Sequence, residues 1–167
     1  MSNQYNLHQI KKGYSFDTDK GVPYIIILEK SSFVPPYGDF LFDFSFFPLV
    51  PKEKRNKDQN GFDPKICQTL INFLEELFDQ DVRNSIIFIC DSQDQRELYR
   101  KILFDKWYDK SSLERFEKLD FKLVNDGENY SITTYISIVT LKNNPYLNDL
   151  KDFAKSNMEE FESYKFE

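Results

Sequence analysis

The stretch SIIFICDSQDQRELYRKILFDKWY, residues 85–108, decides the fold of this chain. It begins with an apolar, β-branched run, Ser85–Cys90, which is typical of a central strand buried on both faces. Polar residues follow, and apolar residues then return at helical spacing: Leu98, Tyr99, Ile102, Leu103 and Trp107. A buried strand that leads directly into an amphipathic helix indicates a sheet with helices packed on it.

The preceding half of the chain predicts three strands and a helix. Residues 13–28 favour two strands around a turn, and Phe residues alternate with other residues from Phe40 to Phe47, which predicts a strand with one apolar face. After a polar connection, Asp63 precedes Pro64 and an apolar stripe at helical spacing. Asp at the N-cap and Pro at the first helical position predict a helix start.

The C-terminal part predicts a hairpin and a last helix. Residues 119–141 alternate around a turn at Asp126–Gly127, and a helical pattern follows Pro145. The predicted order is βββαβαββα, a single mixed sheet of about six strands with two to three helices packed on it, in the α/β (α+β) class.

Length favours one domain over residues 1–167. Hydrophobic residues make up 40% of the chain and aromatic residues 17%, which predicts a folded globule. We expect loosely ordered tails at residues 1–12 and 161–167. The polar connection at residues 51–63 is long for a compact domain, so we expect a mobile loop there.

Charge and cysteine usage restrict the class of protein. The net charge of −6 disfavours a nucleic-acid partner. The two cysteines, Cys67 and Cys90, lie far apart in apolar runs, which predicts buried free thiols in a reducing cytoplasm. The N-terminal segment has no apolar core typical of a secretory signal, and no apolar run is long enough to cross a membrane.

Most enzyme templates fail on this sequence. His8 is the only histidine, and the five glycines do not form a phosphate-binding loop. No catalytic residue, metal site or cofactor site is predicted. The sequence therefore points away from an enzyme and towards a non-catalytic binding or protein-interaction module of a bacterial cytoplasm, with a protein or a small anionic ligand as partner. It does not indicate an oligomeric state.

The sequence predicts a ligand-binding site in the residues that come directly after the central strand. Its residues are Asp91, Ser92, Asp94, Arg96 and Arg100. Ligands bind beyond the carboxyl ends of strands in open sheets, and a helix N-terminus there favours anions. Arg96 and Arg100 are four residues apart and would present two guanidinium groups to a phosphate or carboxylate, which would make the protein an anionic-ligand sensor.

A second hypothesis assigns catalysis to the acids of the same stretch. Asp91 and Asp94, with a third acid from Asp126 or Glu128, would hold a divalent metal for phosphodiester hydrolysis, as in a nuclease.

Helix capping accounts for the same residues without any ligand. Ser92 and Gln95 have the spacing of a capping box, and Asp91 and Asp94 complement the positive end of a helix. The sequence leaves the choice between a site and a capped helix open.

The stretch also resembles the signature of a family of small bacterial proteins of unassigned function. The shared pattern is Cys-Asp-Ser-x-Asp from Cys90, followed by Arg96, Arg100, Phe104 and Trp107. The resemblance implies a Tyr/Phe-rich N-terminal sheet ahead of this block and would span residues 14–125. Gln95 stands where a Gly is expected. No activity is attached to the family, so the resemblance assigns no catalytic roles.

Overall fold

The computed structural model describes residues 2–31, 38–90, 105–106, 108–109 and 113–156. Its helices are α1 (Pro64–Gln80) and α2 (Leu147–Ser156). Its strands are β1 (His8–Ile10), β2 (Gly13–Asp17), β3 (Pro23–Lys30), β4 (Leu41–Pro48), β5 (Ser85–Cys90), β6 (Phe116–Gly127) and β7 (Tyr130–Leu141).

The seven described strands form one mixed sheet in the order β1-β2-β3-β4-β5-β7-β6. The first four pair antiparallel with their neighbours, β4 and β5 pair in parallel, and β5, β7 and β6 again pair antiparallel. The predicted mixed sheet with helices on it is thus confirmed, with seven described strands instead of six. Ser85–Cys90 is the predicted interior strand, flanked by β4 and β7.

Alternating side chains give the sheet two packed faces. On the front face, α1 packs against a core that includes Phe16, Ile26, Phe44 and Phe88. On the back face, α2 packs against a second core: Leu41, Ile87, Leu119, Phe121, Ile136 and Ile138. Full burial of a large apolar side chain stabilises a fold by about 1.5–3 kcal/mol, so these two cores hold the sheet between its helices.

The start of α1 is fixed by its predicted cap. Asp63 Oδ1 accepts a hydrogen bond from the Lys65 backbone N–H at 2.9 Å, and Pro64 occupies the first turn. The other carboxylate oxygen, Oδ2, accepts from the Tyr5 hydroxyl at 2.8 Å. Asp63 therefore joins the beginning of the chain to the beginning of α1.

Part of the N-terminal segment contacts the sheet, whereas the loose tail expected over residues 1–12 stays a prediction. Tyr5 is buried and stacks on Phe16, and residues 8–10 pair with β2 as the additional strand β1. Close packing explains the position of Gly13 in this hairpin, because a Cβ there would lie 2.0 Å from the Ile26 carbonyl oxygen. Tyr5 holds this segment against the sheet through contacts with residues that are distant in the chain, and no local sequence pattern encodes such contacts.

The structure adds detail at three places where the sequence predicted local structure. Phe40 lies in a short 3₁₀ helix before β4, and its ring stacks on Tyr146, so it does not belong to the strand's Phe face. Gly127 pairs with Tyr130, which places the hairpin turn at residues 128–129 instead of Asp126–Gly127. Within residues 51–63, two 3₁₀ helices occupy Lys52–Lys54 and Lys57–Gln59; the mobility of this loop stays a prediction.

A buried polar clamp fixes the connection from β7 to α2. The Asn144 Nδ2 atom has three acceptors for its two N–H groups, Thr140 Oγ1 at 2.7 Å, Ser85 Oγ at 3.0 Å and the Arg83 carbonyl at 3.1 Å. Asn144 Oδ1 accepts from the Tyr146 backbone N–H at 2.8 Å. Because a buried amide needs all its partners, this clamp sets where α2 begins and how it reaches the back face.

Candidate functional site

We name residues 90–108 the candidate block. Most of it lies outside the described residues. This applies to all five residues of the predicted ligand site: Asp91, Ser92, Asp94, Arg96 and Arg100. The choice between a ligand site and a capped helix therefore stays open. The structure does place the two ends of the block, because β5 ends at Cys90 and the description resumes at Asp105.

The block begins at the carboxyl end of an interior strand. Cys90 is 2% exposed and pairs with Tyr135 on β7. On its other side, β5 runs parallel to β4, so the carboxyl ends of these two strands point to the same edge of the sheet. This is the position at which open sheets with helical crossovers bind ligands.

The block ends on the front face of β6, in a group of side chains that we name the polar cluster: Asp105, Tyr108, Lys118, Asp120 and Ser137. Lys118 Nζ lies 2.5 Å from Asp105 Oδ1 and 2.6 Å from Asp120 Oδ2. Ser137 Oγ donates to Asp120 Oδ1 at 2.6 Å. The cluster thus ties the end of the block to two strands of the sheet.

The ionic groups of the polar cluster are largely removed from solvent. The side chain of Lys118 is 10% exposed, that of Asp105 22% and that of Asp120 17%. One ammonium group therefore stands between two carboxylates, which leaves the three groups with a net charge of −1. In surroundings of this kind the opposite charges are screened weakly, so each depends on its partners for stabilisation.

Tyr108 completes the polar cluster beside Lys118, whose Nζ lies 5.6 Å from the centre of the Tyr108 ring. Burial, together with the negative charges of Glu117, Asp120 and Asp109, raises the pKa of the Tyr108 hydroxyl to about 12. The phenol is consequently neutral at physiological pH. It is a poor general base or nucleophile, since both roles require a pKa nearer the operating pH.

Sequence reasoning missed the polar cluster, although β6 carries a signal for it. In FEKLDFK, residues 116–122, two of the three back-face positions are the apolar Leu119 and Phe121, and the third is Glu117. The alternate positions after Phe116 are Lys118, Asp120 and Lys122, so the other face is charged. This strand has one charged face in a sheet with helices on both faces. Such a pattern indicates that the charged side chains pair with polar groups of the element that covers that face.

The third acid of the nuclease hypothesis does not lie near the end of β5. Asp126 and Glu128 are exposed at the tip of the β6–β7 hairpin. Cys90 is in register, across Tyr135, with Lys122, so Asp126 lies four residues, or about 13 Å, further along β6. Within the described ranges, no group of three or more His, Cys, Asp or Glu side chains could hold a metal ion.

The back face carries an exposed apolar surface beyond the part that α2 covers. Phe47 is 43% exposed and Ile89 40% exposed, while Ile25 and Ile27 are half-buried. The register places Ile25 opposite Phe47, and Ile27 opposite Ser45. We name Ile25, Ile27, Phe47 and Ile89 the open patch. It spans three neighbouring strands at the same end of the sheet.

Cys67 and Cys90 are buried and form no disulfide bond, as the sequence predicted. His8 is exposed on β1. In the portion of the chain that the structure covers, no helix is both long and apolar enough to span a membrane.

Comparisons with known proteins add a family but no activity. No curated protein matches the chain. The profile of a family of unknown function, DUF6169, matches residues 62–155. This range is more than half of the 167 residues and contains both the candidate block and the polar cluster; it starts later and ends later than the range expected from the resemblance, residues 14–125. The chain belongs to this family of unknown function, DUF6169.

Proposed function

We propose that this protein is a non-catalytic protein-interaction module and that it binds its partner through the open patch. The observation that carries the proposal is the exposure of Phe47 and Ile89 on the back face. Single exposed apolar side chains are ordinary on a protein surface, but Phe47 lies directly opposite Ile25 and diagonally across from Ile27 on β3 and Ile89 on β5. Contiguous apolar surface of this kind is typical of binding sites.

The position of the open patch also supports binding of a protein. The same sheet face is covered by α2 where Leu41, Ile87 and Ile138 are buried. Sheets bury their apolar face against another layer, and among the described residues no such layer lies over Ile25 and Phe47, so a partner would supply it. An interface with an aromatic and aliphatic centre is the usual anchor of a protein complex.

The polar cluster favours a structural role for the described end of the candidate block. Its ammonium group is held by two carboxylates at 2.5 Å and 2.6 Å, and its phenol has a pKa of about 12. Groups held in this way anchor an element on the sheet and are poorly suited to accept a proton from a substrate. This agrees with a protein that binds without catalysing a reaction.

The nuclease hypothesis with Asp91 and Asp94, and the anion-sensor hypothesis with Arg96 and Arg100, remain hypotheses, because no described residue favours them. A reducing bacterial cytoplasm is part of the proposal, and two buried cysteines that form no disulfide bond agree with a reducing compartment.

Photocrosslinking tests the proposal in cells of the source organism. A photoreactive amino acid replaces Phe47 in one variant and Tyr130 in another. Tyr130 is a matched control, because it is 63% exposed on the tip of the β6–β7 hairpin, away from the open patch. We expect one protein to crosslink from position 47 and not from position 130. The purified partner should then bind the parent protein and lose affinity for Phe47→Ser.

Two outcomes would contradict the proposal. Capture of the same set of proteins from both positions would show that crosslinking reports collisions and not a complex. Equal affinity of the purified partner for the parent and for Phe47→Ser would remove the open patch from the interface.

A further inference from the structure

A carboxylate lies beside the open patch. Asp43 stands on the back face of β4, and its Oδ1 is buried with no hydrogen-bond partner among the described residues. Carboxylate oxygens removed from water are normally paired, because desolvating them without a partner is costly. Asp43 Oδ1 therefore lacks the hydrogen bond that a buried carboxylate oxygen normally has.

The register shows how Asp43 is related to the open patch. It pairs with Glu29 on β3 and with Ile87 on β5, so Ile27 and Ile89 are its diagonal neighbours, roughly 7–8 Å away. Ser45, two residues further along β4, lies between Ile27 and Ile89 and is exposed. Because Ser is small, the surface dips along β4 from Phe47 towards Asp43.

The charge of the neighbouring acid is already compensated. Glu29 Oε1 lies 2.9 Å from Lys12 Nζ. Asp43, one strand further into the sheet, has no such ion pair among the described residues, so a cation from outside could pair with it.

We infer that the partner presents a basic amphipathic helix, whose apolar side chains cover the open patch and whose lysine or arginine reaches the Asp43 carboxylate. This inference rests on the proposed function and names the chemistry of the partner. A helix is favoured because α2 already packs as a helix on the adjoining half of the same face. A second helix beside it would complete the layer over the sheet.

Charge argues against the two other occupants. A second copy of this chain, docked by the same surface, would bring its own Asp43 towards that of the first, and like charges oppose association. The segment 157–167 of this chain contains four Glu and one Lys, a net charge of −3, so by charge it is a weaker match to a carboxylate than a basic partner is.

Three synthetic helical peptides test the inference. They share one leucine face and carry lysine, glutamine or glutamate beside it. We expect the parent protein to bind the lysine peptide about tenfold more tightly than the glutamine peptide, because hydrogen bonds to charged groups are the stronger ones. Asp43→Asn should abolish that preference. Asp39→Asn is the control for general attraction by an acidic protein, because the Asp39 side chain is 81% exposed, and it should retain the preference.

The open patch and the carboxylate are tested separately. Phe47→Ser should weaken binding of all three peptides, because it removes apolar contact area. If Phe47→Ser does so but Asp43→Asn keeps the lysine preference, the interaction module stands and the basic partner is overturned. If Phe47→Ser binds every peptide as the parent does, the proposed function fails as well.

Three further results would overturn the inference. Self-association of the parent that Phe47→Ser abolishes would make a second copy the occupant. Peptide binding that appears only after removal of residues 157–167 would make that segment the occupant. The melting temperature of Asp43→Asn should equal that of the parent, because Asp43 Oδ1 accepts no hydrogen bond among the described residues that the substitution would remove; a lower one would give Asp43 a role within the fold.

Discussion

Lys118 on β6 donates to Asp105, thirteen residues earlier in the chain, at 2.5 Å. The same ammonium group also contacts Asp120 at 2.6 Å, so its removal would take one positive charge away from two carboxylates in partly buried surroundings. We therefore expect Lys118→Met to lower the free energy of unfolding by about 3 kcal/mol, the low end for a broken buried ion pair. Urea denaturation of parent and variant measures the difference.

The control for this prediction is an exposed pair. Lys30 and Asp39 lie 2.9 Å apart with side chains 66% and 81% exposed. Lys30→Met should change the free energy of unfolding by no more than about 0.5 kcal/mol, as is usual for surface pairs. If both variants lose the same small amount, the polar cluster does not anchor the block.

The raised pKa of Tyr108 predicts a loss of stability in alkali. In the unfolded chain the phenol has a pKa of about 10, whereas in the folded protein it is about 12. Between these values the unfolded chain has lost a proton that the folded protein keeps, so stability falls as pH rises from about 10 to 12. Tyr108→Phe should show a shallower decline in urea titrations across this range.

Tyr5 supplies an independent case of the same effect. Burial raises the pKa of its hydroxyl to about 12, and the hydrogen bond to the Asp63 carboxylate and its negative charge act in the same direction. Tyr5→Phe should therefore also flatten the alkaline decline. Identical slopes for the parent and both variants would contradict the pKa values of these two phenols.

The clamp at the start of α2 gives a prediction about stability alone. Asn144→Ala leaves the buried hydroxyls of Ser85 and Thr140 without their amide donor, which should cost about 1–3 kcal/mol. Asn143→Ala, at the exposed neighbouring position, is the matched control and should cost less than about 0.5 kcal/mol. Equal thermal midpoints for the two variants would mean that α2 is positioned by its apolar contacts only.

Sequence patterns predicted those elements whose signal is local. The apolar run Ser85–Cys90 is an interior strand, and Asp63 with Pro64 begins α1. In both cases the residues that define the element are neighbours in the chain. Burial of Cys67 and Cys90 was predictable for the same reason, because each lies in an apolar run.

Elements that depend on distant contacts were not predictable. The segment His8–Ile10 has no alternating pattern, and its strand depends on pairing with β2 and on the hydrogen bond of Tyr5 with Asp63. The polar cluster requires Asp105 to meet β6, which no spacing in the sequence encodes. The alternation along β4 does put Asp43 on one face, but its burial depends on which neighbours meet it in the fold.

The last prediction concerns metal ions and separates the interaction module from the nuclease hypothesis. If Asp91 and Asp94 are dipole partners of a helix, millimolar Mg²⁺ or Mn²⁺ should leave the melting temperature unchanged. A metal at a hundred times its dissociation constant would instead stabilise the folded state by about 2.7 kcal/mol, which is a shift of several degrees. Asp91→Asn would abolish a shift that arises at this site, whereas Asp126→Asn, at the exposed hairpin tip, would not. A shift with that dependence would favour metal-dependent chemistry at the end of β5 over a capped helix.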